Sequence, residues 1–327
     1  RAIGGVYPSG STFKPVTALA GLATHVIDAS TIVDDPGCIQ LGLGKANQRC
    51  NAGHKPHGPV NVSTALQVSS NVFFFGLALK LNPLAKQPLQ KWARDLGYGK
   101  RTGVDLPAES EGIVPDAAWR DRINAKELAC RREEHRKSCG YGDGESRPWS
   151  PGDEAALATG QGDLNASPIQ VAVSYAALAN GGTVVRPHLG LDVLNEQGEL
   201  EQRITSGGGR HVAIDPDDLR AVMGGLLAST SEVNGTTVDV FSDWPHDQIP
   251  IYGKTGTAVR PLRPDDQSWF ACYAYFGAKK EKPIVIVTTI EDAGLGAAAA
   301  APATKLMLAE WFGVENVEAT IGTSNDR

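Results

Sequence analysis

The pattern of apolar and polar positions separates a helical middle of the chain from an end that carries strands. Apolar residues recur at helical spacing from Ser11 to about His25, in the run Val72 to Leu81, and near Leu84 to Leu96, where Gly97 supplies a stop. Another helix is predicted to begin near Asn61. These segments predict a helical subregion.

Two later helices carry their own start signals. Ser167 and Pro168 offer a capping hydroxyl and a proline at the first helical position, and residues 180–182 supply a stop. Asp215 and Pro216 repeat the start signal. The apolar stripe that follows predicts core packing and consists of Leu219, Val222, Met223, Leu226 and Leu227.

The end of the chain predicts three strands, around Gln248 to Ala258, Ser268 to Gly277 and Ile284 to Glu291. Their short connections favour antiparallel neighbours, and a helix from about Ala298 to Phe312 would cover one face. The predicted fold class is therefore α/β, in the α+β sense of an antiparallel sheet flanked by helices. Residues 320–327 are expected to be a disordered tail.

The segment from Asp116 to Glu154 is charged and is predicted to be irregular. Its run from Arg131 to Lys137 mixes both signs of charge, which favours a solvated surface insertion over a binding patch.

Composition indicates one globular domain. The 327 residues are 41% hydrophobic, enough to bury a large core. The net charge of -6 lacks the lysine and arginine excess that a nucleic-acid partner requires. No run approaches the ~20 apolar residues that cross a bilayer, so this polypeptide is not expected to span a membrane.

Four of the five cysteines form two closely spaced pairs. Cys38 with Cys50, and Cys130 with Cys139, could each close a small disulfide in an oxidising compartment, with Cα atoms closer than ~7 Å for the first pair. Cys272 lies in an apolar strand and is expected to be a buried small hydrophobe.

A zinc site is an alternative use of the first pair's loop. Cys50, His54 and His57, with Asp35, are suitable ligand types. Their spacing fits none of the usual structural zinc patterns, so ordinary polar loop residues are the favoured interpretation and no metal is predicted.

The segment from Tyr7 to Pro15 contains the motif S-x-x-K, with Ser11 and Lys14 three residues apart where a helix should begin. Such residues share a helical face, so the amine can activate the hydroxyl as a nucleophile. A solvated serine and a surface lysine are the common alternative for this motif alone.

Two further motifs change that balance. Ser69-Ser70-Asn71 falls on a predicted tight turn between two helices, and Lys254-Thr255-Gly256-Thr257 lies on a predicted strand. This trio, in this order, is that of penicillin-binding proteins and serine β-lactamases.

The chain resembles the transpeptidase domain of class B penicillin-binding proteins, most closely the elongation-type branch. Further segments that support the resemblance are Gly97 to Pro107, Trp149 to Asp153 and Ala158 to Asp163. It covers nearly the whole chain, so residues 1–327 are expected to form one transpeptidase domain. The family also implies an upstream membrane anchor, a pedestal domain and two sheet strands that precede Arg1.

The resemblance implies the role of each residue at the reacting end. Ser11 would attack a D-alanyl-D-alanine carbonyl, and Lys14 is the first candidate for the general base, a role that is disputed in related enzymes. Lys254 would add positive charge and, through Ser69, relay a proton to the leaving amine. Asn71 would bind the substrate amide and hold Lys14.

The rest of the third motif is implied in substrate binding. The hydroxyls of Thr255 and Thr257 would bind the substrate carboxylate, with Gly256 between them. The backbone N–H groups of Ser11 and Thr257 would form the oxyanion hole. No cofactor is implied.

The implied partners are peptidoglycan stem peptides, β-lactam antibiotics and a membrane glycan polymerase. The implied location is the extracytoplasmic face of the bacterial cell membrane. A serine β-lactamase and a β-lactam sensor domain are the alternatives, since both use the same acylation machinery.

Overall fold

The computed structural model describes residues 1–141, 147–205, 207–259 and 263–323. In this part of the chain the helices are α1 (Lys14–Ala23), α2 (Val62–Gln67), α3 (Asn71–Leu81), α4 (Pro88–Asp95), α5 (Ala117–Glu133), α6 (Pro151–Ala158), α7 (Pro168–Ala179), α8 (Pro216–Ser231) and α9 (Ala300–Phe312). The strands are β1 (Val33–Asp35), β2 (Cys38–Gln40), β3 (Gln48–Cys50), β4 (Gly58–Val60), β5 (Thr183–Val184), β6 (Asp192–Leu194), β7 (Leu200–Arg203), β8 (Arg210–His211), β9 (Ile251–Ala258), β10 (Gln267–Phe276) and β11 (Glu281–Ile290).

The main sheet has the order β11-β10-β9 and is antiparallel, as predicted. Side chains alternate across β10, so its two faces enter different cores. Trp269 and Ala271 join the core that contains Phe13 of the first helical segment. Phe270 and Cys272 join a second core with α9. The sheet is therefore flanked by helices on both faces.

The helical subregion is built around α1. Nine of its ten residues are buried, from Lys14 to Leu22. It packs on α3, α4 and α8, and Phe73 and Phe74 of α3 belong to the same core. This burial makes α1 a rigid support for any group that it carries.

The segment between α1 and α2 contains two short antiparallel sheets of two strands each. Strand β1 pairs with β4, and β2 pairs with β3, with Cys38 directly opposite Cys50. These two cysteines form a disulfide with Cα atoms 4.0 Å apart, which confirms the predicted pairing. Strands of three residues are too short to show a periodicity in the sequence.

The prediction of an irregular segment from Asp116 to Glu154 is wrong, because α5 lies within it and α6 begins within it. The buried residues of α5 are the charged Arg120 and Glu127, so its inward face gives no apolar period. Arg120 lies 3.1 Å from Asp153 and 2.8 Å from Asp163. Most of α5 is otherwise exposed or half-buried, in keeping with a surface insertion.

A second disulfide, between Cys130 and Cys139, closes the end of α5, with Cα atoms 6.3 Å apart. Glu127 accepts hydrogen bonds from the Cys139 N–H at 2.9 Å and the Tyr141 N–H at 3.0 Å. These hydrogen bonds lower the pKa of Glu127 to about 2, and the bond from the Cys139 N–H has the largest effect. The surface loop is thus tied to the helix by covalent and polar contacts.

Cys272 is buried and not disulfide-bonded, and burial raises the pKa of its thiol to about 12, as suits a packing residue.

In the predicted tail, the Gly322 N–H donates to Ala297 O, and Thr323 donates to Asp239 Oδ2. Residues 324–327 lie outside the described residues. Among the described helices, none has the length and apolar character needed to cross a membrane.

Candidate active site

Ser11 lies on a 3₁₀ turn, Gly10–Phe13, that leads directly into α1. The predicted helix start at Ser11 is therefore a tighter turn. Three contacts hold it: Thr12 Oγ1 donates to Ser9 O, the Tyr175 hydroxyl donates to Thr12 O, and the Gly10 N–H donates to Gly160 O. The nucleophile candidate is thereby fixed from several elements.

Lys14 is completely buried and connects the first two motifs. Its Nζ donates to Ser69 O at 2.7 Å, to Ser69 Oγ at 3.0 Å and to Asn71 Oδ1 at 2.7 Å. It also lies 5.4 Å from the centre of the Phe74 ring. A buried amine needs such partners, because burying it without them is costly. Lys14 thus forms one polar cluster with Ser69 and Asn71 of the second motif, which has the pattern S-x-N.

The turn that presents Ser69 lies between α2 and α3, as predicted. Ser69 has φ of 58°, a left-handed conformation that is uncommon for a residue other than glycine. Ser70 then caps α3 by accepting from the Phe73 N–H at 3.0 Å. The Ser11 turn, α1 and the Ser69–Asn71 turn are called the helical wall below.

The third motif lies on β9, an edge strand of the main sheet. Strand β9 is called the sheet wall below. Lys254 is buried, and its Nζ is 3.3 Å from both the carbonyl and the hydroxyl oxygen of Thr255. The Thr255 hydroxyl donates to Thr236 Oγ1 at 3.1 Å. Thr236 was not singled out from the sequence, where it lies in a polar connection without a motif.

Glycines let the two walls touch. A Cβ on Gly256 would lie 2.8 Å from Ser9 O, and one on Gly10 would lie 2.8 Å from Thr257 O and 3.1 Å from Thr257 N. These distances are too short for a side chain, so the backbones of β9 and the Ser11 turn are in direct contact. The Thr257 N–H is consequently placed beside Ser11.

A cleft of about 430 Å³ opens between the walls. Its lining residues are Pro8, Ser11, Cys50, Asn71, Phe75, Thr159, Gln161, Gly162, Thr257 and Val259. Residues from all three motifs therefore meet at one cavity.

Gln161 is a further site residue that was not predicted. Its Nε2 donates to Thr257 O at 2.9 Å and so fixes the backbone next to the oxyanion-hole candidate. The signal was present, since Gln161 lies in the segment Ala158 to Asp163 that supports the family resemblance. What the sequence did not show was the contact.

Two residues of the zinc alternative, Cys50 and Asp35, have other partners. The sulfur of Cys50 is bonded to Cys38, so it is not a thiolate ligand. Asp35 accepts hydrogen bonds from Asn51 and Ser70. Burial lowers the pKa of His57, against the opposing effect of Asp35. These contacts suit the favoured interpretation of a polar loop.

The arrangement of three motifs around one cleft agrees with a family comparison. Residues 1–309 match the family described as penicillin binding protein transpeptidase domain. The chain belongs to this family. The transpeptidase domain is 32% identical over 263 residues to the peptidoglycan D,D-transpeptidase MrdA of Acinetobacter baumannii, covering 79% of this chain and 34% of that protein.

Solved structures agree in fold. The crystal structure of Pseudomonas aeruginosa PBP2 in complex with WCK 5153 is similar with a TM-score of 0.74 and 28% identity, over 97% of this chain and 63% of that one. A solved structure described by the words "Structural coordination of polymerization and crosslinking by a peptidoglycan synthase complex" is similar with a TM-score of 0.76 and 27% identity. The match covers 97% of this chain and 48% of that one.

These relatives confirm the resemblance to elongation-type class B penicillin-binding proteins and the α/β fold class. The transpeptidase domain spans about a third of the length of the curated relative named above.

Proposed function

We propose that this domain is a serine D,D-transpeptidase that cross-links peptidoglycan stem peptides through an acyl-enzyme on Ser11. The observation that carries the proposal is the buried contact of Lys14 with Ser69 and Asn71 beside a cleft lined by Ser11. An amine with this geometry is suited to accept a proton from one hydroxyl and pass it to another.

In the acylation step, Ser11 Oγ bonds to the carbonyl carbon of the penultimate D-alanine. Its proton passes to Lys14, and the bond to the terminal D-alanine breaks. Ser69 Oγ, 3.0 Å from Lys14 Nζ, relays the proton to the leaving amine. Lys254 adds positive charge on the opposite wall.

The negative charge that develops on the carbonyl oxygen requires preorganised donors. The contact between the Ser11 turn and β9 supports the N–H groups of Ser11 and Thr257 in this role. The hydroxyls of Thr255 and Thr257, on either side of Gly256, bind the terminal carboxylate. Asn71 binds the substrate amide.

A second stem peptide then completes the reaction. Its amine attacks the ester, forms the new amide and releases Ser11. A β-lactam mimics the first substrate, but its leaving amine stays tethered after the ring opens. The acyl-enzyme ester therefore persists and blocks the site.

We further propose that the domain works at the extracytoplasmic face of the bacterial cell membrane, held there by a segment outside this chain. The two disulfides support an oxidising compartment. A membrane glycan polymerase is the proposed partner, on the likeness to the peptidoglycan synthase complex.

The proposal is tested with benzylpenicillin, intact-mass spectrometry and peptide mapping. We expect one stable adduct per molecule, on Ser11, and none on the Ser11→Ala variant. An adduct on another residue would refute the assignment. A chromogenic cephalosporin should be consumed to about one equivalent, whereas steady turnover would identify a β-lactamase.

A further inference from the structure

Hydrogen bonds to the segment that follows β3 fix the position of Asn71. The Asn71 and Val72 N–H groups donate to Asn51 Oδ1 at 2.8 and 3.0 Å. Asn71 Nδ2 makes a longer contact of 3.4 Å with Cys50 O, while its Oδ1 accepts from Lys14. These partners set which end of the Asn71 amide faces Lys14.

Asn51 is itself fixed by a buried carboxyl group. Its Nδ2 lies 2.8 Å from each oxygen of Asp35, and Asp35 is fully inaccessible to solvent. Asp35 also accepts from Ser70 Oγ at 2.5 Å and from the Gly37 N–H at 2.9 Å. The S-x-N turn, Asn51 and the start of β2 therefore form one network.

The Cys38–Cys50 disulfide closes this network covalently. It joins β2 to β3 immediately beside Asn51, whose N–H donates to Gly37 O at 2.8 Å. A pair of three-residue strands is marginal by itself, so the covalent link keeps Cys50 and Asn51 against Asn71. Both cysteines are half-buried, within reach of a small reductant.

We propose that Asn51 is a positioning residue for acylation, and that the Cys38–Cys50 disulfide makes the acylation rate depend on redox state. This inference rests on the proposed function of Ser11 and Lys14. Without Asn51, the backbone N–H groups of Asn71 and Val72 lose their acceptor, the S-x-N turn loses its support, and Lys14 loses its fixed position. A small misplacement of a catalytic group such as Lys14 costs roughly 10- to 100-fold in the acylation rate.

The redox step uses an added dithiol such as dithiothreitol. The dithiol is oxidised to its cyclic disulfide and gives two electrons and two protons to the Cys38–Cys50 bond, which becomes two thiols. The hairpin then loses its covalent closure, and only hydrogen bonds hold Cys50 and Asn51 beside Asn71.

The first experiment compares Asn51→Ala with Asn47→Ala, a matched change at the tip of the same hairpin, where Asn47 Nδ2 donates to Leu43 O. Acylation by a fluorescent penicillin is measured over a range of concentrations, which separates non-covalent binding from the acylation rate constant. We expect Asn51→Ala to lower the rate constant roughly 10- to 100-fold with little change in binding. Asn47→Ala should behave as the parent.

The second experiment removes the Cys130–Cys139 disulfide, so that dithiothreitol can reduce only the Cys38–Cys50 disulfide. In a Cys130→Ser/Cys139→Ser background, dithiothreitol should slow acylation, and a Cys38→Ser/Cys50→Ser variant should be slow with or without it. If Asn51→Ala does not fold, this second experiment still tests whether the acylation rate depends on the Cys38–Cys50 disulfide.

Three results would overturn the inference. Asn51→Ala could acylate like the parent, or dithiothreitol could leave the rate unchanged, while the parent still forms its Ser11 adduct; the proposed function would then stand alone. A folded parent without any adduct would remove both.

Discussion

On the helical wall, side-chain hydrogen bonds hold Lys14 in place, whereas the sheet wall is placed beside the Ser11 turn by direct backbone contact. On the helical wall, Lys14 has donors directed at Ser69 and Asn71. On the sheet wall, Gly256 lets β9 lie against the backbone of Ser9. The position of Lys14 therefore depends on the side chains around it, whereas the contact of β9 with Ser9 depends on Gly256 having no side chain.

This difference teaches how each wall should fail. Removing a side chain from the helical wall deletes a chemical group but leaves the backbone in place. Adding a side chain to the sheet wall displaces the backbone and moves every donor on it. Both failures reach the same Ser11.

The largest effect is expected for Lys14→Ala on the helical wall. Acylation should fall by roughly 10²–10⁴ because the proton acceptor is removed, while alanine suits a helix start. The rate of acylation by a fluorescent penicillin and a thermal melt check both points. Lys80→Ala, an exposed lysine on α3, is the matched control. A variant that acylates within about tenfold of the parent would argue against Lys14 as the base.

Next comes Gly256→Ala on the sheet wall. The added Cβ would meet Ser9 O, so β9 must move away and carry the Thr257 N–H with it. We expect an acylation loss of roughly 10²–10³, the effect of losing one oxyanion donor. Gly224→Ala, at a helical glycine with no atom near the new Cβ, should keep full activity. Equal rates for the two variants would contradict the contact between the walls.

A smaller effect is expected for Gln161→Leu, which keeps the bulk of the side chain and removes its donor. Thr257 O would lose its partner, at about 1–3 kcal/mol, which corresponds to roughly 5- to 150-fold in the acylation rate. The exposed Gln202→Leu serves as the control. An unchanged rate would show that Gln161 does not position the sheet wall.

Outside both walls, Glu127→Gln should change stability without changing acylation. Because the folded pKa of Glu127 is lowered, its contribution is present above the unfolded value near 4.5 and is lost as pH falls toward about 2. The variant should melt at a lower temperature than the parent at pH 7, and the difference should shrink through that acidic window. A constant difference at every pH would mean that ionisation of Glu127 is not the cause.

Much of the fold could be predicted because its signals are local. Both α7 and α8 start at a proline, Pro168 and Pro216, and Asp215 caps α8 by accepting from backbone N–H groups. The three strands follow from apolar runs. Helix α4 begins at Pro88, later than the predicted Leu84, since Lys86 and Gln87 have positive φ. Helix α5 was missed because its buried residues carry charge.

The sequence by itself determined the three motifs, the disulfide partners and the antiparallel sheet. Each depends on spacing between residues that are close in the chain or on a pattern along one element. Only the tertiary structure decided that Lys14 meets Ser69, 55 positions away, and that Gln161 meets Thr257, 96 positions away. It also decided that Asn51 supports Asn71 and that Gly256 touches Ser9. These contacts arise from packing between elements, which no local spacing records.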